Sequence, residues 1–233
     1  MRLLEKFSVL LLDMNGTFMF GEDRFSIGED FYQTYQLLGG TDLTYSEVTS
    51  HIRRCYDGMI AKYIDPNYYD DFPSLREGLQ LYAEPPENEL PLLESVFAKH
   101  EIGFIPEAYA DLLHRLARTH RLGLVTNIWA SKEIWLEEFE RAGIGDIFRS
   151  KIFSSDSRSI KPSTILYQKA LDEIGCHPDE ALFIGDSIRA DLEGAKMVGL
   201  ATIWITNRKD ESHSCVDYAV SSLLDIEELV WRP

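Results

Sequence analysis

Two patterns of apolar positions divide the chain. Residues 7–12 form an apolar run followed by the turn signal Asn15-Gly16, as expected of a strand buried on both faces of a parallel sheet. Residues 122–126, 181–185 and 200–206 repeat the run, and residues 151–154 read as a further short strand. Between them the period becomes helical. Ala108, Leu112, Leu113, Leu116 and Ala117 share one face after Pro106, and Ile134, Trp135, Phe139 and Ala142 form a stripe ending at Gly143. Ile165, Leu166, Lys169, Ala170 and Ile174 run from Pro162 to Gly175, and Leu192, Ala195, Met197 and Val198 end at Gly199. Pro suits a first helical turn and Gly a left-handed cap after the last. Strands alternating with single helices predict an α/β fold built on a doubly wound parallel sheet.

Residues 19–102 break this alternation. They read as helices over 29–38, 46–63, 74–82 and 89–100, punctuated by Pro66, Pro73, Pro85, Pro86 and Pro91, with no strand-like run. The pattern predicts an all-helical cap at 19–102 inserted into a Rossmann-like core of residues 1–18 and 103–233.

Composition adds exclusions. The 233 residues are 45% apolar and 27% charged, which rules out disorder as the global state. With 39 acidic against 23 basic side chains, the formal charge is −16. That argues against nucleic acid or an anionic membrane, which clustered Lys and Arg bind. It leaves small anions open, because a metal and a few placed cations reverse the field locally. The insertion holds 16 acidic against 6 basic residues, and 8 of the 11 tyrosines, so −10 of the −16 lies there. Cys55, Cys176 and Cys215 are odd in number, widely spaced and outside any CxxC. They read as reduced thiols of a cytoplasmic protein, not a disulfide framework or zinc site. The run at 7–12 is too short for a signal core or membrane span, so an unprocessed cytosolic chain is expected, as monomer or homodimer.

In open parallel sheets, ligands bind beyond the carboxyl ends of the strands. The residues there are Asp13-Met-Asn-Gly-Thr17 after the first run, Thr126-Asn127 after the second, and Gly185-Asp186-Ser187 with Asp191 after the fourth; Lys161-Pro162 opens a helix between them. Each has an ordinary structural reading. Asp13 suits a turn or cap, Thr126-Asn127 a strand-to-loop turn, and Lys161 a solvated position before a helix. Asp186 or Ser187 suits an N-cap, and Asp191 the positive first turn of a helix. Five such residues in this order, each at a predicted strand end, are harder to credit to chance.

Together they resemble the four motifs of the haloacid dehalogenase superfamily, most members of which are magnesium-dependent phosphatases. The resemblance covers the whole chain and is similar to the branch holding phosphoglycolate phosphatase and β-phosphoglucomutase. It implies that Asp13 is a nucleophile forming an aspartyl-phosphate. It implies that Thr126 and neighbouring N–H groups, with Asn127, hold the phosphoryl oxygens, and that Lys161 pairs with nucleophile and phosphate. Asp13, the carbonyl of Asn15, Asp186 and Asp191 would hold Mg²⁺, which prefers hard oxygens. The substrate class implied is a small phosphorylated metabolite. Within the cap, Arg53 or Arg54 could reach a substrate anion, although pairing with Glu47 or Asp57 is the plainer reading; Glu22 and Arg24 sit where relatives often place specificity contacts.

One position departs from the pattern. Phosphatases of this family carry Asp-x-Asp, whereas this chain has Asp13-Met14-Asn15. The second Asp protonates the leaving oxygen and then activates water; Asn does neither, and such catalysis is worth about 10²–10⁴-fold. The residues therefore leave three readings: a slowed phosphatase, a phosphate-ligand binding protein without turnover, and a 2-haloacid dehalogenase. Dehalogenases lack Asp at the second position too, but carry an aromatic there and need no Mg²⁺.

Overall fold

The computed structural model describes residues 3–208, 211 and 213–229. Among them six strands, β1 (Val9–Leu12), β2 (Arg121–Thr126), β3 (Phe148–Phe153), β4 (Ala181–Gly185), β5 (Ala201–Ile205) and β6 (Tyr218–Val220), form one sheet. Its order is β3-β2-β1-β4-β5-β6, and every pairing is parallel. The central strand β1 is buried along its whole length, which is why its sequence shows no polar alternation. Its side chains separate by parity. Leu10 and Leu12 join a cluster with Leu112, Leu116, Trp135 and Phe139, whereas Val9 and Leu11 join Leu166, Ala170, Leu171 and Leu192. Helices therefore cover both faces, as a doubly wound sheet requires.

Between β1 and β2 lie α1 (Phe31–Leu37), α2 (Tyr45–Tyr63), α3 (Leu75–Gly78), α4 (Leu90–Glu101) and α5 (Glu107–Ala117). After them, α6 (Glu133–Arg141) separates β2 from β3, α7 (Thr164–Ile174) separates β3 from β4, and α8 (Glu193–Met197) separates β4 from β5. Local chemistry sets the boundaries. Asp30 caps α1 by accepting from Gln33 N (3.0 Å). Thr44 and Glu47 form a reciprocal capping box that starts α2. Gly143, Gly175 and Gly199 all have positive φ at the helix ends where the sequence placed them.

Three elements differ from expectation. The helix expected over 74–82 is α only to Gly78; a π turn, Leu79–Ala83, completes it and stops at Glu84, whose φ is +48°. Strand β3 begins at Phe148, not at residue 151. It is an edge strand whose exposed Arg149 and half-buried Lys151 break the apolar run. The other edge, β6, has only three residues, two of them half-buried, so no apolar run marked it.

The helices α1–α4 extend the first of the two clusters, through Phe31, Tyr35, Val48, Ile52, Leu93 and Phe97. Polar contacts tie this insertion to the sheet's loops. Ser163 Oγ donates to Asp70 (2.5 Å), and Arg158 pairs with Asp71 (3.0 Å) and Glu77 (2.8 Å). Arg189 reaches Ile64 O and the Tyr69 hydroxyl. Among the described residues, no helix is long and apolar enough to cross a membrane.

Candidate active site

The carboxyl ends of β1, β2 and β4 open into a cavity of about 260 Å³ beneath the insertion. Asp13 follows β1 directly, its N–H held by Ile184 O of β4 (2.9 Å). Asp186 follows β4, where Trp204 Nε1 donates to its backbone carbonyl (2.9 Å). Asp191 sits in the π turn Ile188–Leu192; its Oδ2 accepts from Ser187 N (2.9 Å) and its carbonyl accepts from the Tyr167 hydroxyl (2.8 Å). Ser187 is the residue that caps this turn, accepting from Ala190 N (3.1 Å). Carboxylate oxygens of Asp13, Asp186 and Asp191 lie within 4.8 Å of one another.

Two glycines permit that convergence. A Cβ at Gly16, whose φ is +69°, would stand 2.3 Å from Asp186 Oδ2, and one at Gly185 would stand 2.5 Å from Asp191 Oδ2. Both clashes are far inside van der Waals contact, so side chains at these positions would drive the acids apart.

Lys161 joins the acids. Its Nζ donates to Asp13 Oδ1 and to Asp191 Oδ1 (2.6 Å), with all three side chains buried. Asn127 fixes its backbone, accepting from Lys161 N (2.8 Å) and donating to Lys161 O (3.3 Å) and to the Tyr63 hydroxyl (3.1 Å). One ammonium against three carboxylates leaves the cluster short of positive charge. Burial, followed by repulsion from Asp191, pushes the Asp13 carboxyl up to about 8 despite Lys161, and Asp186 to about 6. For Lys161 burial favours the neutral amine, but Asp13 and Asp191 outweigh it and hold the ammonium above its usual range. A compact set of hard anionic oxygens with uncompensated charge is the donor chemistry that suits Mg²⁺.

Other expected residues are placed differently. Thr126 is fully buried, is not among the residues lining the cavity, and its Oγ1 has no hydrogen-bond partner among the described residues. Asn127 does line the cavity, but its amide is engaged as above. Asn15 lines it too, with Oδ1 buried and without a hydrogen-bond partner among the described residues. Arg53 is not among the residues lining the cavity. Its guanidinium donates to Phe25 O (3.3 Å) and Ser26 O (2.7 Å) and lies 5.3 Å over Phe31, so backbone carbonyls hold it away from the cavity. Arg54 donates to Ala83 O (3.4 Å), and Arg24 reaches Gly21 O (2.9 Å) and Ile102 O (3.0 Å).

Most of the opposite wall was not legible in the sequence. Asp23, Tyr56, Ile60, Tyr63, Glu101 and Trp129 line the cavity, together with Glu22. Glu101, the last residue of α4, is 4% exposed and accepts from the N–H groups of Trp129 (2.5 Å) and Ala130 (2.9 Å). It thereby joins the insertion to the loop after β2. Asp23 has φ +54°, an unusual conformation for a residue with a Cβ. A positive φ and a long-range contact leave no mark in a linear pattern.

Comparison with known proteins settles the family. The description of haloacid dehalogenase-like hydrolases matches residues 46–205. The chain belongs to this family. The matched range begins after Asp13–Thr17, so the first motif rests on its place in the fold. A phosphoserine phosphatase of Thermus thermophilus is 28% identical over 154 residues, covering 65% of this chain and 61% of its own length. A glyceraldehyde 3-phosphate phosphatase of Pyrococcus abyssi is 31% identical over 142 residues, 59% of each chain. The chain thus spans about three fifths of the length of these curated relatives. Among solved structures, a HAD phosphatase from Thermococcus onnurineus superposes with a TM-score of 0.64 over 95% of this chain and 96% of that one, at 22% identity. A 2-haloacid dehalogenase from Pseudomonas syringae gives 0.63 over 95% and 97%, at 20% identity. Structures named for both chemistries share the fold, so the fold alone does not choose between them.

Proposed function

We propose that the chain is a phosphomonoester hydrolase of a small phosphorylated metabolite, with Asp13 as nucleophile and proton transfer impaired at Asn15. In this reading residues 19–102 act as a cap over a core of 1–18 and 103–233, in a cytoplasmic monomer or homodimer. Placement nearer phosphoglycolate phosphatase and β-phosphoglucomutase belongs to the same proposal. The observation that carries it is the buried Asp13–Lys161–Asp191 cluster, with Asp186 beside it, at the sheet end of the cavity. The Thermus and Pyrococcus relatives are phosphatases by name, which supports the same direction.

Asp13, Asp186, Asp191 and the Asn15 carbonyl would hold Mg²⁺. When bound it would offset phosphate charge and orient the ester. The Asp13 carboxylate attacks phosphorus; a new P–O bond to Asp13 forms as the bond to the alcohol oxygen breaks, and that oxygen leaves with its electron pair. Lys161 stays charged through the step and offsets the negative charge building between carboxylate and phosphoryl group. Water then attacks the aspartyl-phosphate, releasing phosphate and restoring the carboxylate. Both halves move a proton, from an acid to the leaving oxygen and from water to a base. The Asn15 amide supplies neither transfer.

The reading favoured second is a phosphate-ester binding protein with no turnover, motivated by the same Asn15, whose buried Oδ1 has no hydrogen-bond partner among the described residues. Dehalogenation is less well supported, because three convergent carboxylates suit a metal site that this chemistry does not need. A panel of phosphate esters with Mg²⁺, run on the wild type and on Asn15→Asp, separates them. Turnover gained in the variant supports the hydrolase; Mg²⁺-dependent ester binding with turnover in neither supports the binding protein.

A further inference from the structure

The cavity has a second end. Beyond Asp13, Lys161, Asp186 and Asp191, its lining carries Glu22, Asp23 and Glu101 beside the rings of Tyr56, Tyr63 and Trp129. Lys161 is the one basic residue among the cavity-lining residues described, and it is held by Asp13 and Asp191. The nearby arginines are turned onto backbone carbonyls, Arg24 onto those of Gly21 and Ile102 and Arg53 onto those of Phe25 and Ser26. Three carboxyls therefore face this end with no cation beside them among the described lining residues.

Two further observations indicate a ligand here. Glu22 Oε2 is buried and has no hydrogen-bond partner among the described residues; a buried carboxylate oxygen left unmatched is costly unless something completes it. The adjacent wall is aromatic and continuous. Trp129 lies 5.8 Å from Tyr56, 5.8 Å from Tyr63 and 6.0 Å from Phe97 between ring centroids. Carboxylates beside aromatic rings form a setting that attracts an organic cation through charge and ring quadrupole together. The titration pattern agrees. Burial, followed by repulsion from Asp23, pushes Glu101 up to about 8, as for a carboxyl crowded without a facing cation. A neutral polyol would hydrogen-bond to these acids but leave their charge uncompensated.

We propose that the ester this site takes is a small phosphomonoester whose alcohol carries an ammonium group, the phosphate lying at Lys161 and the ammonium among Glu22, Asp23, Glu101 and the Tyr56–Trp129 wall. This inference rests on the phosphate-ester reading above. The cavity volume of about 260 Å³ restricts the alcohol to a few heavy atoms.

The test is calorimetric titration of the wild-type chain, with Mg²⁺, using three probes: 2-aminoethyl phosphate, 2-hydroxyethyl phosphate and inorganic phosphate. The amine ester is expected to bind at least about tenfold tighter than its hydroxyl analogue. Glu22→Gln and Asp23→Asn, each first checked for native circular dichroism, should bring that ratio to within about threefold. Equal affinity for the two esters, with inorganic phosphate bound, would overturn this inference and leave the hydrolase reading standing. Unchanged selectivity in both variants would overturn it as well. Failure of all three probes to bind would overturn the hydrolase reading and this inference with it.

Discussion

The two ends of the cavity hold similar numbers of carboxyls under opposite conditions. At the sheet end, Asp13, Asp186 and Asp191 converge on oxygens within 4.8 Å, and a buried Lys161 bonds two of them. At the insertion end, Glu22, Asp23 and Glu101 face aromatic rings and no cation among the lining residues described. The sheet end is rigid by construction. Parallel strands fix the backbone of each acid, Gly16 and Gly185 leave room for them, and Asn127 locks the backbone of Lys161. The insertion end is assembled from a turn, two helices and the loop after β2, and Glu101 is the strap between them. In the proposed reading, chemistry belongs to the first end and selection among esters to the second.

That division can be broken at several strengths. The largest effect belongs to Asp13: in the Asn15→Asp background, Asp13→Asn should lower turnover of an aryl phosphate at least about 10⁴-fold. A loss under tenfold would remove Asp13 as nucleophile and with it the meaning of the sheet end. Next is Lys161→Met, which leaves buried carboxylates without their ammonium. Breaking a buried pair costs about 3–5 kcal/mol, and urea unfolding should show a loss of that size, partly recovered by Mg²⁺. A loss below about 1 kcal/mol would mean that the cluster is more hydrated than its burial indicates.

A smaller effect probes the insertion end. Glu101 keeps its proton up to about 8 in the fold, against an ordinary value of 4.5. Between those values the native chain binds more protons than the unfolded one, so this contribution to stability is complete below about 4.5 and lost as pH rises through about 8. The stability difference between wild type and Glu101→Gln should therefore move against the wild type across that window, by up to about 1.4 kcal/mol per pH unit. A flat difference would show that Glu101 ionises normally beside Trp129 and Ala130. The smallest effect is at Arg53, whose bonds go to Phe25 and Ser26. Arg53→Ala should leave KM within about twofold, and a larger rise would return it to the site.

The two ends also differ in how far the sequence revealed them. The sheet was legible because burial on both faces makes a strand apolar throughout, as in β1, and because each candidate residue follows such a run. The helical insertion was legible from its period and prolines. Strand β6 and the start of β3 were not, since edge strands alternate like loops and β6 is three residues long. The partners of Arg53 were not legible, because they are backbone carbonyls of the segment before α1 and no side-chain pattern marks them. Glu101 and Trp129 were invisible because they meet across 28 positions of sequence, and no local pattern encodes that contact. Asp23 was hidden by a backbone conformation that only the structure displays.

The central claim is that nucleophile and cation are in place and proton transfer is not. An ester with a good leaving group separates the two halves, since p-nitrophenolate departs without an acid while the aspartyl-phosphate still needs a base. Rapid mixing of the wild-type chain with p-nitrophenyl phosphate and Mg²⁺ should release a burst approaching one p-nitrophenolate per chain, followed by slow turnover. Asn15→Asp should abolish the burst and turn over about 10²–10⁴-fold faster in steady state. Absence of p-nitrophenolate release from both proteins, each shown to be folded, would contradict the account.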